Sequence, residues 1–379
     1  MAGMAVSVDV CIRGAGIVGR TLALLLARER LRVALVAPAR AQPSTSGHGD
    51  VRAYALNAAA RGVLQGLRCW PEGDAATPVL EMSVHGDISG HLQFSADEQA
   101  VDALNWIVDV PALEARLADA VRFQSGIEEV AEPVPAALTV VCEGRASSTR
   151  AELGVEFDVL HYPQHAIATR LTCERPHGQV ARQWFTDGEI LAFLPLGGPQ
   201  GNSVAVVWSV LKTRVDSLMA LSPDEFAAQL DEASRGELGA LQLCAPRATW
   251  ALQLARAARW VGPMPGRSDQ SFALAGDAAH SMHPLAGQGL NMGLADAAEL
   301  AQQLGARPYW RSVGDLKLLR RYERARRADV AAMSLATDGL QQLFSGPGQA
   351  LAALRNWGMN GFDRSGPIKS WLVRRAMGA

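Results

Sequence analysis

One short stretch of the chain, residues 276–293, contains residue types that could carry chemistry. It reads GDAAHSMHPLAGQGLNMG and has two histidines, an aspartate, a proline and four glycines between an apolar run and a helical pattern. His280 and His283 are three residues apart, a spacing at which two side chains on a helix can share a metal ion. Pro284 and the flanking glycines disfavour that helix, and no cysteine or carboxylate completes a ligand set. We therefore expect no metal site, and no Ser/His/Asp hydrolase because no GxSxG elbow precedes the stretch.

The same stretch fits a loop that holds a flat, anionic group. Asp277 follows a buried strand, where α/β sheets bind ligands, and could accept hydrogen bonds from a polyol chain. The loop from Pro284 to Gly289 has little side-chain bulk, so its backbone can approach a planar ring. The helix predicted to begin at Leu290 directs its free N–H groups and its dipole toward that ring. An anionic reduced flavin is a suitable ligand for such a site.

A glycine-rich motif near the start of the chain predicts a second part of the same site. GAGIVG, residues 14–19, lies between a predicted strand at 8–12 and a predicted helix at 21–30. In this setting the first glycine makes the turn, the second lets a pyrophosphate approach, and the third allows close helix–strand packing. No acidic residue ends the next strand to bind the ribose, and Asp50 is the nearest candidate, beyond a long loop. The predicted phosphate-binding residues are Gly14, Ala15, Gly16 and Gly19.

Composition excludes several functional classes. The 379 residues carry a formal net charge of −2, which gives no general attraction to nucleic acid. No apolar run approaches the roughly 20 residues that cross a bilayer, and the first residues lack the basic region of a signal peptide. Five cysteines, far apart and in no CxxC pair, predict buried free thiols in a reducing cytoplasm. A chain of this length predicts about two packed units.

The sequence pattern changes in the middle of the chain. Residues 80–95 alternate apolar and polar as in a hairpin, and a helix capped by Asp109 follows over 109–122. Between 155 and 255, strands rich in aromatic and β-branched residues predict an antiparallel sheet. One helix interrupts this sheet, opened by Ser222 and Glu225 as a capping box. The predicted fold class is α/β, with a sheet-rich domain inserted into a parallel α/β layer.

Residues 276–300 also resemble the second flavin motif (GD…HP…GQG.N) of the class A FAD-dependent aromatic monooxygenases. They are most similar to the branch of ubiquinone-biosynthesis hydroxylases. The resemblance covers most of the chain. It includes the first βαβ unit (9–36), a segment with a flavin-contacting arginine (52–70), the helix at 107–117, AFLPL at 192–196 with VVW at 206–208, and LRRYERARRADVAAM near the end.

The resemblance implies a particular architecture. This is a Rossmann-like FAD-binding domain of the para-hydroxybenzoate hydroxylase (GR2) type, with an inserted, mostly antiparallel substrate domain and C-terminal helices. The implied divisions are 1–78, 99–154 and 261–335 for the FAD-binding domain, 79–98 (a hairpin) and 155–260 for the substrate domain, and 336–379 for a helical tail.

The resemblance further implies one FAD per chain and roles for individual residues. Arg52 would lie near the flavin and Asp277 on the ribityl chain, while Pro284 on the ring face and His283 would be the catalytic residues. Members of this family use O₂ and transiently bound NAD(P)H to form a C4a-hydroperoxyflavin, which hydroxylates an activated aromatic ring. The residues implied to hold the isoalloxazine ring are Gly287, Gln288, Gly289, Leu290 and Asn291.

Departures from the family leave alternatives open. The family's middle motif, ADGxxS, reads VCEGRAS at 141–147, so that Glu143 replaces an aspartate. Together with the missing ribose acid, this raises the hypothesis of a non-catalytic partner in a quinone-biosynthesis complex. A hydroxylase of another aromatic or secondary metabolite is the other alternative.

The predicted substrate and location follow from the inserted domain and the tail. The substrate domain has no arginine cluster that would hold a carboxylate, which favours an apolar phenol or prenylphenol. The tail at 348–379 places Trp and Phe beside Lys and Arg, a pattern that either packs on the domain or contacts a bilayer surface. We expect a cytoplasmic protein, with peripheral contact with the inner membrane as one alternative.

Overall fold

The computed structural model describes residues 8–37, 51–86, 90–281 and 288–345 of the chain. The strands are β1 Val10–Arg13, β2 Val33–Val36, β3 Ala53–Leu56, β4 Ala76–Val79, β5 Glu81–His85, β6 His91–Ser95, β7 Asn105–Asp109, β8 Ile127–Val130, β9 Leu138–Val141, β10 Phe157–Cys173, β11 Val180–Thr186, β12 Glu189–Leu196, β13 Ser203–Leu211, β14 Leu241–Leu243, β15 Ala248–Ala257, β16 Val261–Met264, β17 Arg267–Leu274 and β18 His280–Ser281. The helices are α1 Ile17–Arg28, α2 Ala58–Gly66, α3 Val110–Arg122, α4 Ser148–Glu152, α5 Lys212–Ala220, α6 Pro223–Ala233, α7 Gln288–Gly305 and α8 Leu316–Ser345.

A six-stranded sheet forms the first layer, in the order β16-β17-β9-β1-β2-β8. Its strands are parallel except for the edge strand β16. The central strands β1 and β9 are almost wholly buried, as expected for parallel strands with both faces covered. The predicted assembly of this layer from the start, middle and end of the chain is confirmed. The edge strand β8 escaped prediction because its sequence, IEEV, is short and half charged.

Local signals predicted several helix ends correctly. The Asp109 side chain caps α3 by accepting from the Ala112 N–H, and Pro111 lies in the first turn. Ser222 and Glu225 form both hydrogen bonds of a capping box at α6. The helix predicted from Leu290 begins two residues earlier, at Gln288, and ends at Gly305.

A large, mostly antiparallel sheet forms the second layer, in the order β18-β15-β10-β13-β12-β11-β5-β6, with β14 beside β10. The predicted hairpin at 80–95 is its β5–β6 edge, and β5 pairs in parallel with β11. A three-stranded sheet, β3-β7-β4, packs over one face of the large sheet. The domain limits given above stay a prediction, since sheet membership alone does not fix them.

The two faces of β12 and β13 differ in the size of their side chains. One face carries Phe193 and Trp208, which pack against α5 and α6 in a large apolar cluster. The other face carries Ala192, Ala205 and Ser209, which are small. Because successive strand residues point to opposite faces, this alternation fills one side of the sheet and leaves space on the other.

Cysteine burial differs in part from the prediction. All five cysteines are free thiols, as predicted. Cys11, Cys69 and Cys173 are buried, but Cys142 is only partly buried and Cys244 is exposed. The prediction of burial is therefore wrong for Cys244, because β14 ends just before it at Leu243 and leaves it in a loop. Within the described ranges, no helix is long and apolar enough to cross a bilayer.

Candidate functional site

The GAGIVG turn shows three different requirements for glycine. Gly14 has φ +113°, and a Cβ there would lie 2.5 Å from the Cys142 carbonyl oxygen. A Cβ on Gly19 would overlap the Gly14 carbonyl oxygen. Gly16 caps α1 with extended backbone, and no described atom lies within 4 Å of the position its Cβ would take. The turn therefore presents open space at the N-terminus of α1, as phosphate binding requires.

Asp277 lies where β17 ends, in the tight turn formed by residues 276–278. Its side chain is half-buried, and among the described residues no hydrogen bond or ion pair holds its carboxylate. Burial raises the pKa of Asp277 above its ordinary value, against the lowering effects of His280, Arg145 and Arg52. Hydroxyl groups that donate hydrogen bonds stabilise the charged form of a partly buried carboxylate. Asp277 therefore fits the predicted polyol contact.

The fully buried carboxylate of Asp296, on α7, binds and stabilises this turn. It accepts hydrogen bonds from the Gly276 N–H at 2.9 Å, from His280 Nε2 at 2.7 Å and from Arg326 Nε at 2.7 Å. The His280 ring also stacks on Trp260, with 4.9 Å between the ring centroids. Burial alone would raise the pKa of Asp296, but the His280 and Arg326 contacts hold it below its ordinary value.

Sequence reasoning missed Asp296 and Arg326, and it considered His280 as a metal ligand and rejected that role. The available signal was an aspartate inside the apolar stripe of α7, between the buried Leu294 and Ala297. A charged residue in such a stripe needs a partner, which here comes from α8, 30 residues later in the chain.

The start of α7 is tied to β3 and to the beginning of α2. Asn291 Oδ1 accepts from the Asn57 N–H, and Asn291 Nδ2 donates to the Ala55 carbonyl at 2.9 Å and to Gln288 Oε1. The Asn291 side chain is therefore engaged within the protein, which leaves its backbone for the predicted ring contact. Gly289 has no described atom within 4 Å of its Cβ position. Three of the predicted site residues, His283, Pro284 and Gly287, lie outside the described residues, as does Asp50.

Close backbone packing joins the two predicted halves of the site. A Cβ on Gly293 would lie 2.8 Å from Val18 Cγ2, and one on Gly276 would lie 3.3 Å from the same atom. Val18 lies in the first turn of α1, two residues after Gly16, so the phosphate turn, the Asp277 turn and α7 meet at this side chain. The structure thus brings together residues that are more than 250 positions apart in the sequence.

Arg52 is exposed immediately before β3, and its Nη1 lies 3.5 Å from the Tyr54 hydroxyl. The positive charge of Arg52 also lowers the pKa of Asp277, so the two side chains belong to the same part of the site. Arg170, on β10, positions this segment by donating to the carbonyl groups of Val51 and Arg52.

The Arg170 guanidinium is fixed in turn by an ion pair with the α3 cap. Its Nη1 lies 2.7 Å from Asp109 Oδ2. The large sheet is thereby connected to the segment that carries Arg52.

Glu143 replaces the aspartate of the family's middle motif, and its side chain binds residues of the turn that follows it. Its carboxylate accepts from Thr149 Oγ1 at 2.6 Å and from Ser147 Oγ at 2.7 Å, and Arg13 Nε lies 3.2 Å away. Burial raises the pKa of Glu143, but the Thr149 and Ser147 hydrogen bonds lower it more. Next to this turn, Arg150 donates to the Ala278 carbonyl and so braces the Asp277 turn as well.

A cavity of about 130 Å³ lies between the large sheet and β3-β7. Its wall is mostly apolar, with Arg52 and Tyr54 at one side. The alanines of its wall are Ala53, Ala55, Ala168, Ala181, Ala192 and Ala205. An apolar cavity of about 150 Å³ is known to hold one benzene ring, so this cavity has the size for a single aromatic ring. Because the Ala55 carbonyl binds Asn291, β3 separates the cavity from the start of α7.

The described residues fit the predicted cofactor, and comparisons with known proteins agree. The fold is that of FAD-dependent monooxygenases. A probable FAD-dependent monooxygenase of Pseudomonas aeruginosa, PqsL, matches with a TM-score of 0.74 at 20% identity, over 94% of this chain and 100% of that one. The p-nitrophenol 4-monooxygenase PnpA of Pseudomonas putida also gives 0.74, at 18% identity over 99% of each chain.

Sequence comparison identifies the family. The model of the FAD binding domain family matches residues 112–337, and the chain belongs to that family. Ubiquinone hydroxylase UbiL of Rhodospirillum rubrum is 32% identical over 98% of this chain and 89% of its own length. The 3-demethoxyubiquinol 3-hydroxylase of Escherichia coli is 28% identical over 98% of both. The protein is an FAD-dependent monooxygenase, as the resemblance predicted.

Asp277 gives the first test of the predicted site residues. We expect Asp277→Asn to weaken FAD binding by about tenfold to a hundredfold, because a charge-assisted hydrogen bond contributes about 1.5–3 kcal/mol. The folded apoprotein should not lose stability. When folding raises the pKa of a carboxyl group, the free energy of unfolding decreases as the pH rises through that pKa. Asparagine does not ionise, so it removes this destabilisation. Fluorescence titration with FAD and thermal unfolding of the apoprotein measure the two effects.

Glu143→Ala is the matched control for this prediction. Its carboxylate serves the Ser147–Thr149 turn, so we expect lower stability and a smaller loss of FAD affinity than in Asp277→Asn. In the wild type, FAD affinity should fall as pH drops through the raised pKa of Asp277. Equal affinities in the two variants, or the same pH dependence in Asp277→Asn as in wild type, would contradict the assigned role.

Proposed function

We propose that this protein hydroxylates the aromatic ring of a phenolic or prenylphenolic precursor in ubiquinone biosynthesis. The observation that carries the proposal is the single-ring cavity directly behind β3, beside the predicted flavin site. The similarity to the two ubiquinone-pathway hydroxylases extends over nearly the whole chain and supports the pathway.

The proposed roles follow from the contacts described above. Gly14, Ala15, Gly16 and Gly19 would hold the phosphates at the N-terminus of α1, and Asp277 would bind the ribityl hydroxyls. Backbone N–H groups from Gly287 to Asn291 would face the ring, and Arg52 would lie at its border with the cavity. When bound, FAD supplies the redox chemistry with NAD(P)H and O₂. The protein contributes an apolar, enclosed space that excludes water and orients the substrate ring.

The proposed partners are small molecules and a membrane surface. A prenylated precursor resides in a bilayer, so we propose a cytoplasmic protein in peripheral contact with the inner membrane or with a quinone-biosynthesis complex. The aromatic and basic residues after 346 support this surface contact, although they lie outside the described residues. His283 and Pro284, which also lie outside the described residues, are the proposed catalytic residues.

Two measurements test the proposed function. Purified full-length protein should be yellow with FAD near one per chain, and phenolic substrates should stimulate NAD(P)H oxidation with ¹⁸O from ¹⁸O₂ in the product. Deletion of the gene should cause one ubiquinone precursor to accumulate, and its structure would identify the carbon that is hydroxylated. A colourless protein that does not bind added FAD would instead support the non-catalytic alternative. Normal quinone levels after deletion, with an active enzyme, would indicate another aromatic substrate.

A further inference from the structure

Within the described part of the chain, two buried polar atoms of the cavity wall have no hydrogen-bond partner. Ser209, on β13, is 6% exposed, and its Oγ has no hydrogen-bond partner among the described residues. Asn105 Oδ1, at the start of β7, is buried and has none either. Both residues line the cavity, whose wall is otherwise mostly apolar. A buried polar atom left without a partner costs about 1–3 kcal/mol, so this pair requires an explanation.

The two atoms belong to opposite walls. Ser209 pairs with Ala166 and Ile190 and lies on the floor formed by the large sheet. Asn105 pairs with Val79 in the three-stranded sheet above that floor. A ligand that binds both atoms must therefore carry two groups that point in opposite directions. On a single ring, this favours two substituents on opposite sides of the ring.

The chemistry of the two atoms differs. The amide oxygen of Asn105 only accepts hydrogen bonds, so it requires a donor such as a phenolic O–H. The Ser209 hydroxyl can donate, and it therefore suits an ether or hydroxyl oxygen on the other side of the ring. The cavity volume corresponds to about one aromatic ring, which limits the ring substituents to small ones, and six alanines contribute to its wall.

We propose that Asn105 and Ser209 determine substrate specificity by binding a single aromatic ring that carries two oxygen substituents on opposite sides. The Asn105 amide oxygen accepts from a ring hydroxyl, and the Ser209 hydroxyl donates to the second oxygen. This inference rests on the proposed function, because it places the substrate ring in this cavity. It adds the substitution pattern that the cavity selects.

Three probes of similar size separate the two contacts. 4-Methoxyphenol has both groups, 1,4-dimethoxybenzene lacks the hydroxyl donor, and 4-ethylphenol lacks the second oxygen. Calorimetric titration of the full-length, FAD-loaded protein should give 4-methoxyphenol an affinity at least about tenfold higher than that of either analogue. A site built to bind a polar group discriminates against analogues that lack it, because its own polar atoms are then left unpaired.

Substitutions should remove each preference separately. Asn105→Leu should bring 1,4-dimethoxybenzene within about twofold of 4-methoxyphenol, and Ser209→Ala should do the same for 4-ethylphenol. Ser203→Ala is the matched control, since Ser203 lies on the same strand and face but outside the cavity. It should keep both preferences. Removing the unpaired Ser209 hydroxyl should not lower the melting temperature, which excludes a purely structural role.

Ala192→Leu tests the location of the ring. Its larger side chain occupies part of the 130 Å³, so it should weaken binding of all three probes. The inference is overturned if the wild type shows no preference, if Ser209→Ala and Asn105→Leu keep wild-type preferences, or if Ala192→Leu binds all probes normally. Any of these results with an active, FAD-containing wild type leaves the proposed hydroxylase function intact. A wild type without FAD or hydroxylation would overturn the function itself.

Discussion

Gly19→Ala is expected to destabilise the fold and abolish FAD binding, whereas Gly16→Ser is expected to lose FAD affinity while folding normally. A methyl group at Gly19 overlaps the Gly14 carbonyl oxygen, so α1 must move away from β1. Overpacking of this kind costs typically about 1–3 kcal/mol, and here it also displaces the phosphate turn. Gly16 faces open space as the cap of α1, where serine is a preferred residue.

The contrast between these variants tests the phosphate site directly. The Gly16→Ser side chain projects where the pyrophosphate must approach the backbone, so the dissociation constant for FAD should rise at least about tenfold. Urea unfolding of the apoproteins and FAD titration give the two quantities. Wild-type FAD affinity in Gly16→Ser would place the phosphates elsewhere, and an unchanged unfolding free energy in Gly19→Ala would contradict the close packing of α1.

The parts of the fold that the sequence predicted depend on short-range signals. The strand–glycine–helix unit lies within about thirty residues, and the caps at Asp109 and Ser222 each involve neighbours three positions away. The aromatic and β-branched residues of the central strands predicted the large sheet, because such side chains favour a pleated, half-buried surface wherever a strand pairs. The family resemblance correctly supplied the fold class and the cofactor.

The parts that the sequence did not predict depend on distant pairings. Nothing near Asp296 in the sequence reveals that Arg326 lies on the next helix, or that both support a turn twenty residues upstream. Glu143 was visible in the sequence only as a departure from the family's motif, and the structure shows that its carboxylate binds Thr149 and Ser147. The cavity likewise arises from six alanines on five different strands, whose shared location only the sheet register establishes.

Asp296→Ala is expected to reduce the free energy of unfolding by about 3–5 kcal/mol, because removing one member of a buried ion pair leaves the other charge without compensation. Arg326 would keep only its ion pair with the exposed carboxylate of Asp329, His280 would lose its carboxylate partner, and the Gly276 N–H would lose its acceptor. The Asp277 turn would then be free to shift, so FAD affinity should fall as well. Arg116→Ala is the control, since its pair with Glu72 is exposed and should contribute at most about 1 kcal/mol.

The pH dependence distinguishes the charge of Asp296 from its volume. Because its pKa is lowered on folding, its contribution is fully present above the pKa of an unfolded aspartate and is lost as pH falls through the lower, folded value. Asp296→Asn keeps the volume and should show a weaker loss of stability in acid than wild type. The double variant Asp296→Leu/Arg326→Met should be more stable than either single substitution, since it leaves no unpaired charge between them. Additive losses in the double variant, or an acid profile of Asp296→Asn equal to that of wild type, would show that packing rather than the ion pair holds the Asp277 turn.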